Sequence, residues 1–239
     1  MNRMQIFIQK QMFHPTLFGV FINPFYFTRR ELHRHIQSFA QKIKGKVLDI
    51  GCGSKPYRYL FRVNRYIGID LKKSGHNHST SNIDIFYDGK HIPFPKNHFS
   101  SVVMFEVLEH VFNPDELLKE IRRVIKTHGT ILLSVPCMWD EHEKPFDYGR
   151  YTSYGMKYLL EKHGFTVLKQ VKSTVGSDAL FQLINSYVYK CIIKKGTKYE
   201  IFCMTIITGI FNCIGLVCGF CFPKHTDFYL DNIFLARKK

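Results

Sequence analysis

The chain has 239 residues, enough for one sizeable α/β domain with additions, and its 45% apolar and 22% charged content excludes a disordered chain. Lys and Arg number 34 against 19 Asp and Glu, and the resulting net charge of +15 implies an anionic partner, either nucleic acid or an acidic membrane surface. The seven cysteines are odd in number and lie mostly in apolar runs, which argues against a disulfide framework and for a reducing, cytosolic compartment.

The N-terminal residues are not expected to act as a signal peptide, because Gln9, Lys10 and Gln11 interrupt the apolar run and no small-residue cleavage site follows. Residues 1–45 form a basic, aromatic extension with Arg29, Arg30, Arg34, Phe13, Phe18, Phe21, Phe25 and Phe27. Asn23-Pro24 marks a turn, Thr28 is placed to cap a helix over RRELHRHIQSFAQKIK, and Gly45 to end it. The basic face of that helix reads first as solvated; its aromatic companions also suit a lid over a ligand or a membrane-facing surface.

From Lys46 onward strand and helix patterns alternate. KVLDI predicts a strand, and a short helix broken early by Pro56 follows Gly53. RYIGID predicts a second strand ending on Asp70, and SSVVMF a third. Asn113, as N-cap, and Pro114, at the first helical position, open a helix running to Lys126 and closed by His128-Gly129. TILLSV is the next strand; Thr152 or Ser153 opens a helix that closes at His163-Gly164, and FTVLKQV and FYLDNIFLA are strands. Repeated β-α-β units predict a mostly parallel sheet with helices on both faces.

VLDIGCGSKPYRYL ends the first strand with Asp49, Gly51 and Gly53. Ligands of open parallel sheets bind at the carboxyl ends of the strands, and glycines there let the backbone approach them closely. The pattern is neither a dinucleotide fingerprint nor a phosphate loop, and an acid in the turn suits an ammonium group or hydroxyls better than phosphate. Asp70 ends the next strand about 20 residues on, the spacing at which a carboxylate meets ribose hydroxyls. Asp88, before Gly89, is placed to accept from an exocyclic amine such as that of adenine. An isolated D-x-G-x-G reads as a tight turn; the strand context and the two further acids favour a ligand site.

Taken together, VLDIGCGSKPYRYL, YIGID, YDGKHIPFPKNHFSSVVMFEVLEHV and TILLSVP resemble the class I S-adenosylmethionine-dependent methyltransferases, and within them the branch often called type 11, over Lys46 to Val171. The resemblance implies a Rossmann-like seven-stranded sheet and S-adenosyl-L-methionine as cofactor. It implies that Asp49, Gly51 and Gly53 surround the amino acid end of the cofactor. Asp70 would hold its ribose, Asp88 with Gly89 its adenine, and Glu106 and His110 would border the methyl donor. One departure is Ser100 after Phe99, where many relatives carry Asp.

FEVLEH stands where nucleobase amino-methylases carry an N/D-P-P-Y-type motif, which argues against that class. The loop WDEHEKPFDYGRYT resembles one found in methyltransferases associated with bacterial cell-surface glycan synthesis. In it His142 is the candidate base for a hydroxyl acceptor, oriented by Asp147 or Glu141, while Arg150 and Tyr151 are candidates for binding acceptor oxygens. A structural Asp147–Arg150 pair with a solvated His142 is the alternative. His76–His78 reads as loop histidines, and Cys218 with Cys221 lacks a second pair, so no metal site is expected.

Ile201–Phe222 carries no charged residue and is long enough to span a bilayer. A single span would carry FYLDNIFLA away from the sheet, and lysines flank both ends, so the expectation is an apolar helical hairpin over 176–226 lying in or on one leaflet. A buried helix pair or a dimer interface is the alternative. The expected organisation is one domain: extension 1–45, cofactor-binding core 46–175, hairpin 176–226, last strand and basic tail 227–239. The expected activity is O-methylation of a glycan or lipid-linked acceptor at the cytoplasmic membrane face. The alternatives are a quinone-type lipid acceptor and an RNA methyltransferase or binding module.

Overall fold

The computed structural model describes residues 3–72 and 81–239, so the His76–His78 run lies outside the described residues. The elements in chain order are α1 (Arg3–Phe13), α2 (Gly19–Ile22), α3 (Tyr26–Ala40), β1 (Lys46–Ile50), β2 (Arg65–Leu71), β3 (Ile85–Tyr87), β4 (Phe99–Phe105), α4 (Pro114–Val124), β5 (Ile125–Pro136), α5 (Ser153–Lys162), β6 (Phe165–Val175), α6 (Ser177–Ile192), α7 (Lys198–Cys221) and β7 (Tyr229–Lys238). Seven strands form one sheet in the order β3-β2-β1-β4-β5-β7-β6. β1 to β5 run parallel, and β7 is antiparallel to β5. This is the Rossmann-like, mostly parallel sheet expected from the sequence. The chain proceeds outward from β1 through β2 to β3 on one side and from β4 to β5 on the other. The order therefore reverses between β1 and β4, and their carboxyl ends flank the position where open sheets bind ligands.

Two compact units are distinguishable: residues 35–171 with 231–239, and residues 1–34 with 172–230. The first holds the main core. β1 and β4 are nearly continuous buried runs, as strands covered on both faces require. α4 buries Leu117, Leu118, Ile121 and Val124, a helical stripe, and the Asn113 side chain accepts from Glu116 N at 3.4 Å. α4 stops at Val124, two residues before the predicted end. Ile125 already pairs with Phe99, and the ladder shifts register before resuming at Ser101 and Thr130. His128, at φ +61°, and Gly129 take up that irregularity. After Gly53 there is only a 3₁₀ turn, Arg58–Leu60, and β3 is a three-residue strand that the sequence did not announce.

The second unit packs α2, the start of α3, α6 and α7. α3 begins at Tyr26, so Thr28 lies in its first turn rather than at its cap, and the Thr28 N–H donates to Gln182 Oε1 at 3.2 Å. α7 buries Met204, Thr208, Gly209, Asn212 and Gly215 along one stripe. A Cβ at Gly215 would come within 2.7 Å of the Phe27 ring, so helix and ring touch only because this position is bare. Asn212 donates to the carbonyls of Val20 and Asn23 at 2.7 and 3.2 Å and accepts from Asn185 at 2.7 Å. It thereby satisfies carbonyls at the end of α2, a helix too short to satisfy its own. Asn212→Leu removes these bonds within a fully buried site. Denaturant unfolding is expected to show a loss of about 2–3 kcal/mol; an unchanged midpoint would mean that the unit tolerates orphaned carbonyls.

Candidate active site

The chain leaves β1 through Gly51, at φ +65°, and Gly53, at φ +46°. The N–H groups of Gly51 and Cys52 both donate to Ile69 O, at 2.9 and 3.2 Å, which folds the loop against the end of β2. A Cβ at Gly51 would meet Val107 Cγ2 at 2.4 Å, whereas nothing lies within 4 Å of a Cβ built at Gly53. Gly53 therefore borders open space that its missing side chain keeps free. Its N–H donates to Asp70 Oδ2 at 2.9 Å, and Leu71 N–H donates to Asp70 Oδ1 at 2.8 Å. The second acid and the glycine loop are one hydrogen-bonded unit.

Three residues that sequence reasoning did not single out complete this unit. Lys55, at φ +55°, reaches Asp84 Oδ2 at 2.6 Å, and Gly68 N–H donates to the same oxygen at 2.6 Å. A Cβ at Gly68 would lie 2.4 Å from Lys55 Cε and 2.6 Å from Cys52 Sγ. The loop's side chains cross β2 at this glycine. A glycine in the middle of the YIGID strand was the available signal.

Asp49 is 4% exposed and accepts from Tyr66 OH at 2.6 Å. Burial raises its pKa to about 7, against the lowering effect of the Tyr66 hydrogen bond and Lys55. Asp88 is exposed and closes its own turn: Oδ1 accepts from Lys90 N and His91 N, both at 2.8 Å, which holds the carboxyl below its usual range. Gly89, at φ +81°, follows it. An open cradle at Gly53, backed by the half-buried Asp70 carboxylate, fits a ligand carrying vicinal hydroxyls beside a tail that must approach the backbone. S-adenosylmethionine is such a ligand. Bound there, it would have Asp70 to hold its ribose and would supply an electrophilic sulfonium methyl.

After β4 the backbone turns at Glu106, a non-glycine residue at φ +53°. Glu106 N–H lies 3.2 Å from both Ser134 O and Ser134 Oγ, and Ser134 Oγ donates to Glu106 Oε1 at 2.5 Å. The costly conformation is held by the neighbouring strand. A 3₁₀ turn over Leu108–His110 follows. Glu109 is fully buried, neither of its carboxylate oxygens has a hydrogen-bond partner, and burial and then Glu106 push its pKa well above the usual range.

The loop after β5 docks on this turn. Tyr148 N–H and Gly149 N–H donate to Glu109 O at 2.8 and 3.1 Å, and His110 Nδ1 lies 2.7 Å from Phe146 O. Inside the loop, Arg150 reaches both Asp147 oxygens at 2.6 and 2.8 Å and the carbonyls of Asp140, Gly149 and Trp139 at 2.8, 2.7 and 3.3 Å. All five donors of the guanidinium are thereby spent on the loop. Asp147, held below its usual pKa range chiefly by Arg150, also accepts from His142 N–H at 3.0 Å and lies 3.4 Å from His142 Nδ1. Asp147 and Arg150 brace the loop and orient His142; Tyr151 OH is turned to Leu108 O at 3.4 Å, and exposed Glu141 pairs with Lys144 at 3.0 Å. The His110 and His142 rings meet edge to face, 4.8 Å between centroids. Trp139, Glu141 and Tyr148 line an open cavity on the same loop.

Residues 25–170 match the family model described as a methyltransferase domain. The chain belongs to this family, within the class I S-adenosylmethionine-dependent methyltransferases. It is 27% identical over 174 residues to a Mycolicibacterium smegmatis protein described as "Probable S-adenosylmethionine-dependent methyltransferase", covering 67% of this chain and 65% of that one. It is 38% identical over 61 residues to the ubiquinone/menaquinone biosynthesis C-methyltransferase UbiE of Cupriavidus pinatubonensis, and there it spans 25% of this chain and only 25% of the relative's length. Its fold is similar to that of phosphoethanolamine N-methyltransferase 2 of Haemonchus contortus, solved with S-adenosyl-L-methionine: TM-score 0.55 at 16% identity, covering 95% of this chain and 58% of that one.

The raised pKa of Asp49 gives a pH-dependent stability. The unfolded carboxyl ionises near pH 4, while the folded one resists ionisation up to about pH 7. Its contribution is therefore lost as pH rises between those values. Asp49→Asn keeps an acceptor for Tyr66 and removes the ionisation. Its melting temperature relative to wild type is expected to rise between about pH 5 and pH 8; a constant difference would contradict the burial argument.

Proposed function

We propose that the protein transfers the methyl group of S-adenosylmethionine to a hydroxyl of a glycan or lipid-linked acceptor at the cytoplasmic face of a membrane. The observation that carries the membrane part is the outer face of α7. Phe202, Ile206, Ile210, Ile214, Val217 and Phe220 follow helical spacing and are 44–92% exposed. Among the described residues α7 is the one helix long and apolar enough to cross a bilayer, and only 28% of its apolar window is buried, unlike a core helix. Lys194 and Lys195 precede it, Lys198 opens it and Lys224 follows, so both ends favour the side with anionic headgroups. With its buried stripe committed to the unit around Asn212, α7 suits a helix lying in one leaflet. Exposed Leu17 and Phe18, before α2, add apolar surface to the same unit.

The hydroxyl part rests on His142, half-exposed and oriented by Asp147 at the mouth of the sheet, where an acceptor proton would be taken up. A quinone-type lipid acceptor is the second reading; the match to the UbiE enzyme spans only 61 residues, a quarter of either chain, and does not choose between the two. Both readings have the acceptor at a membrane.

Three measurements test the proposal. Asp70→Ala should weaken S-adenosylmethionine binding by about tenfold to a hundredfold in calorimetry, the worth of charge-assisted hydrogen bonds of roughly 1.5–3 kcal/mol; unchanged affinity would remove Asp70 from the cofactor site. The full chain should sediment with vesicles containing phosphatidylglycerol, whereas the Ile206→Asp/Ile210→Asp/Val217→Asp variant should stay in the supernatant. Wild-type protein free of vesicles at low salt would overturn the membrane proposal. Labelled methyl transfer into fractionated glycan, lipid and RNA pools then identifies the acceptor, and label confined to RNA would overturn the hydroxyl-acceptor reading.

A further inference from the structure

Glu109, His110 and His142 converge at the mouth of the sheet. One ligand atom from each lies within 4.8 Å of the other two. The sequence separates His142 from the other pair by more than thirty positions, and only the docking of the loop brings it back. We propose that these three side chains form a site for one divalent transition cation, of the zinc or cobalt kind, beside the acceptor.

Three features of these side chains support it. Glu109 is 0% exposed, yet neither carboxylate oxygen has a hydrogen-bond partner, and Oε1 lies 3.8 Å from His110 Nε2. A carboxylate buried without a partner is costly, and a cation relieves that cost. His110 Nδ1 donates to Phe146 O at 2.7 Å, so Nε2 is the nitrogen turned towards Glu109 and, at 3.5 Å, Glu143, and a cation bound there takes the place of any proton on it. Metal-ligating histidines are oriented in this way, by a carbonyl on the far nitrogen. His142 repeats the arrangement, with Nδ1 3.2 Å from Asp140 O and 3.4 Å from Asp147 Oδ2.

Two imidazoles and a carboxylate are the donor set of open zinc sites, which leave a position for an exogenous oxygen. Ligand atoms on a tetrahedral zinc ion lie about 3.3 Å apart, given bonds of about 2.0–2.1 Å. The loop bearing His142 therefore closes by about 1–1.5 Å on binding. This inference rests on the hydroxyl-acceptor reading for its role: the acceptor oxygen would take the open position and lose its O–H proton to water, and its electron pair would form the O–CH3 bond as the S–CH3 bond breaks, the pair leaving on the sulfur of S-adenosylhomocysteine. The cation would then activate the acceptor hydroxyl, a task that falls to His142 alone, as base, when no cation is bound.

The test is titration of the chelator-treated full chain with Co²⁺, followed by its visible spectrum, because seven free cysteines could also bind metal. One equivalent bound, with ligand-field bands and no thiolate-to-cobalt charge transfer, is expected, and Zn²⁺ should displace it. Glu109→Gln and His142→Gln should each weaken Co²⁺ binding by about tenfold to a hundredfold. His142 lies on a half-exposed loop, so its variant remains informative if the Glu109 variant fails to fold. No binding, a thiolate spectrum, or binding unchanged in His142→Gln would overturn the site. Calorimetry with S-adenosylmethionine in the absence of metal separates the two proposals. Cofactor binding without Co²⁺ binding removes only the cation site; Co²⁺ binding without methylation of any hydroxyl acceptor removes only the acceptor reading.

Discussion

At the carboxyl end of β1 the chain must turn away from the sheet within three residues while its N–H groups stay bonded to β2. Gly51 solves this with a left-handed backbone, packed so closely on Val107 that no Cβ fits, and the amides of residues 51 and 52 share the Ile69 carbonyl. The position of Gly53 follows from that turn, and the bond from Gly53 N–H to Asp70 follows from the position of Gly53. The candidate cofactor groove therefore depends on one backbone reversal, reinforced from below by the Lys55–Asp84 pair crossing Gly68.

The acceptor side is built on a different principle. The loop after β5 has no regular structure, and its order comes from one guanidinium whose donors are spent on Asp147 and three backbone carbonyls. Asp147, 4% exposed at its side chain, is compensated by that bidentate pair. The same loop satisfies the Glu109 carbonyl but leaves the buried Glu109 carboxyl without a hydrogen-bond partner, with His110 Nε2 3.8 Å away.

In the unit formed by residues 1–34 and 172–230, the two faces of α7 differ in composition and in what they touch. Small and polar residues, Gly209, Asn212 and Gly215, face inward, while large aliphatic and aromatic residues face outward. This reverses the pattern of a helix on a water-soluble core. The packed side depends on close approach and hydrogen bonds, and the free side is the face that the proposed membrane would cover.

The sequence by itself determined the strand–helix alternation, the glycine loop with its acids at the ends of β1 and β2, and the apolar helix. These are local signals, carried by residue type and spacing along neighbouring positions. It placed the ends of α4 and α3 less well, because β5 begins where its ladder partner lies and α3 begins where Asn23 turns the chain. Asp84, Lys55 and Gly68 escaped notice because nothing in their local pattern marks them; they matter through contacts across β2. Whether Arg150 was free or spent, and that Glu109 and His110 would meet His142, only the tertiary structure decided. The side chains involved are brought together by a loop folding back on the strand ends, and such contacts leave no periodic trace in the chain.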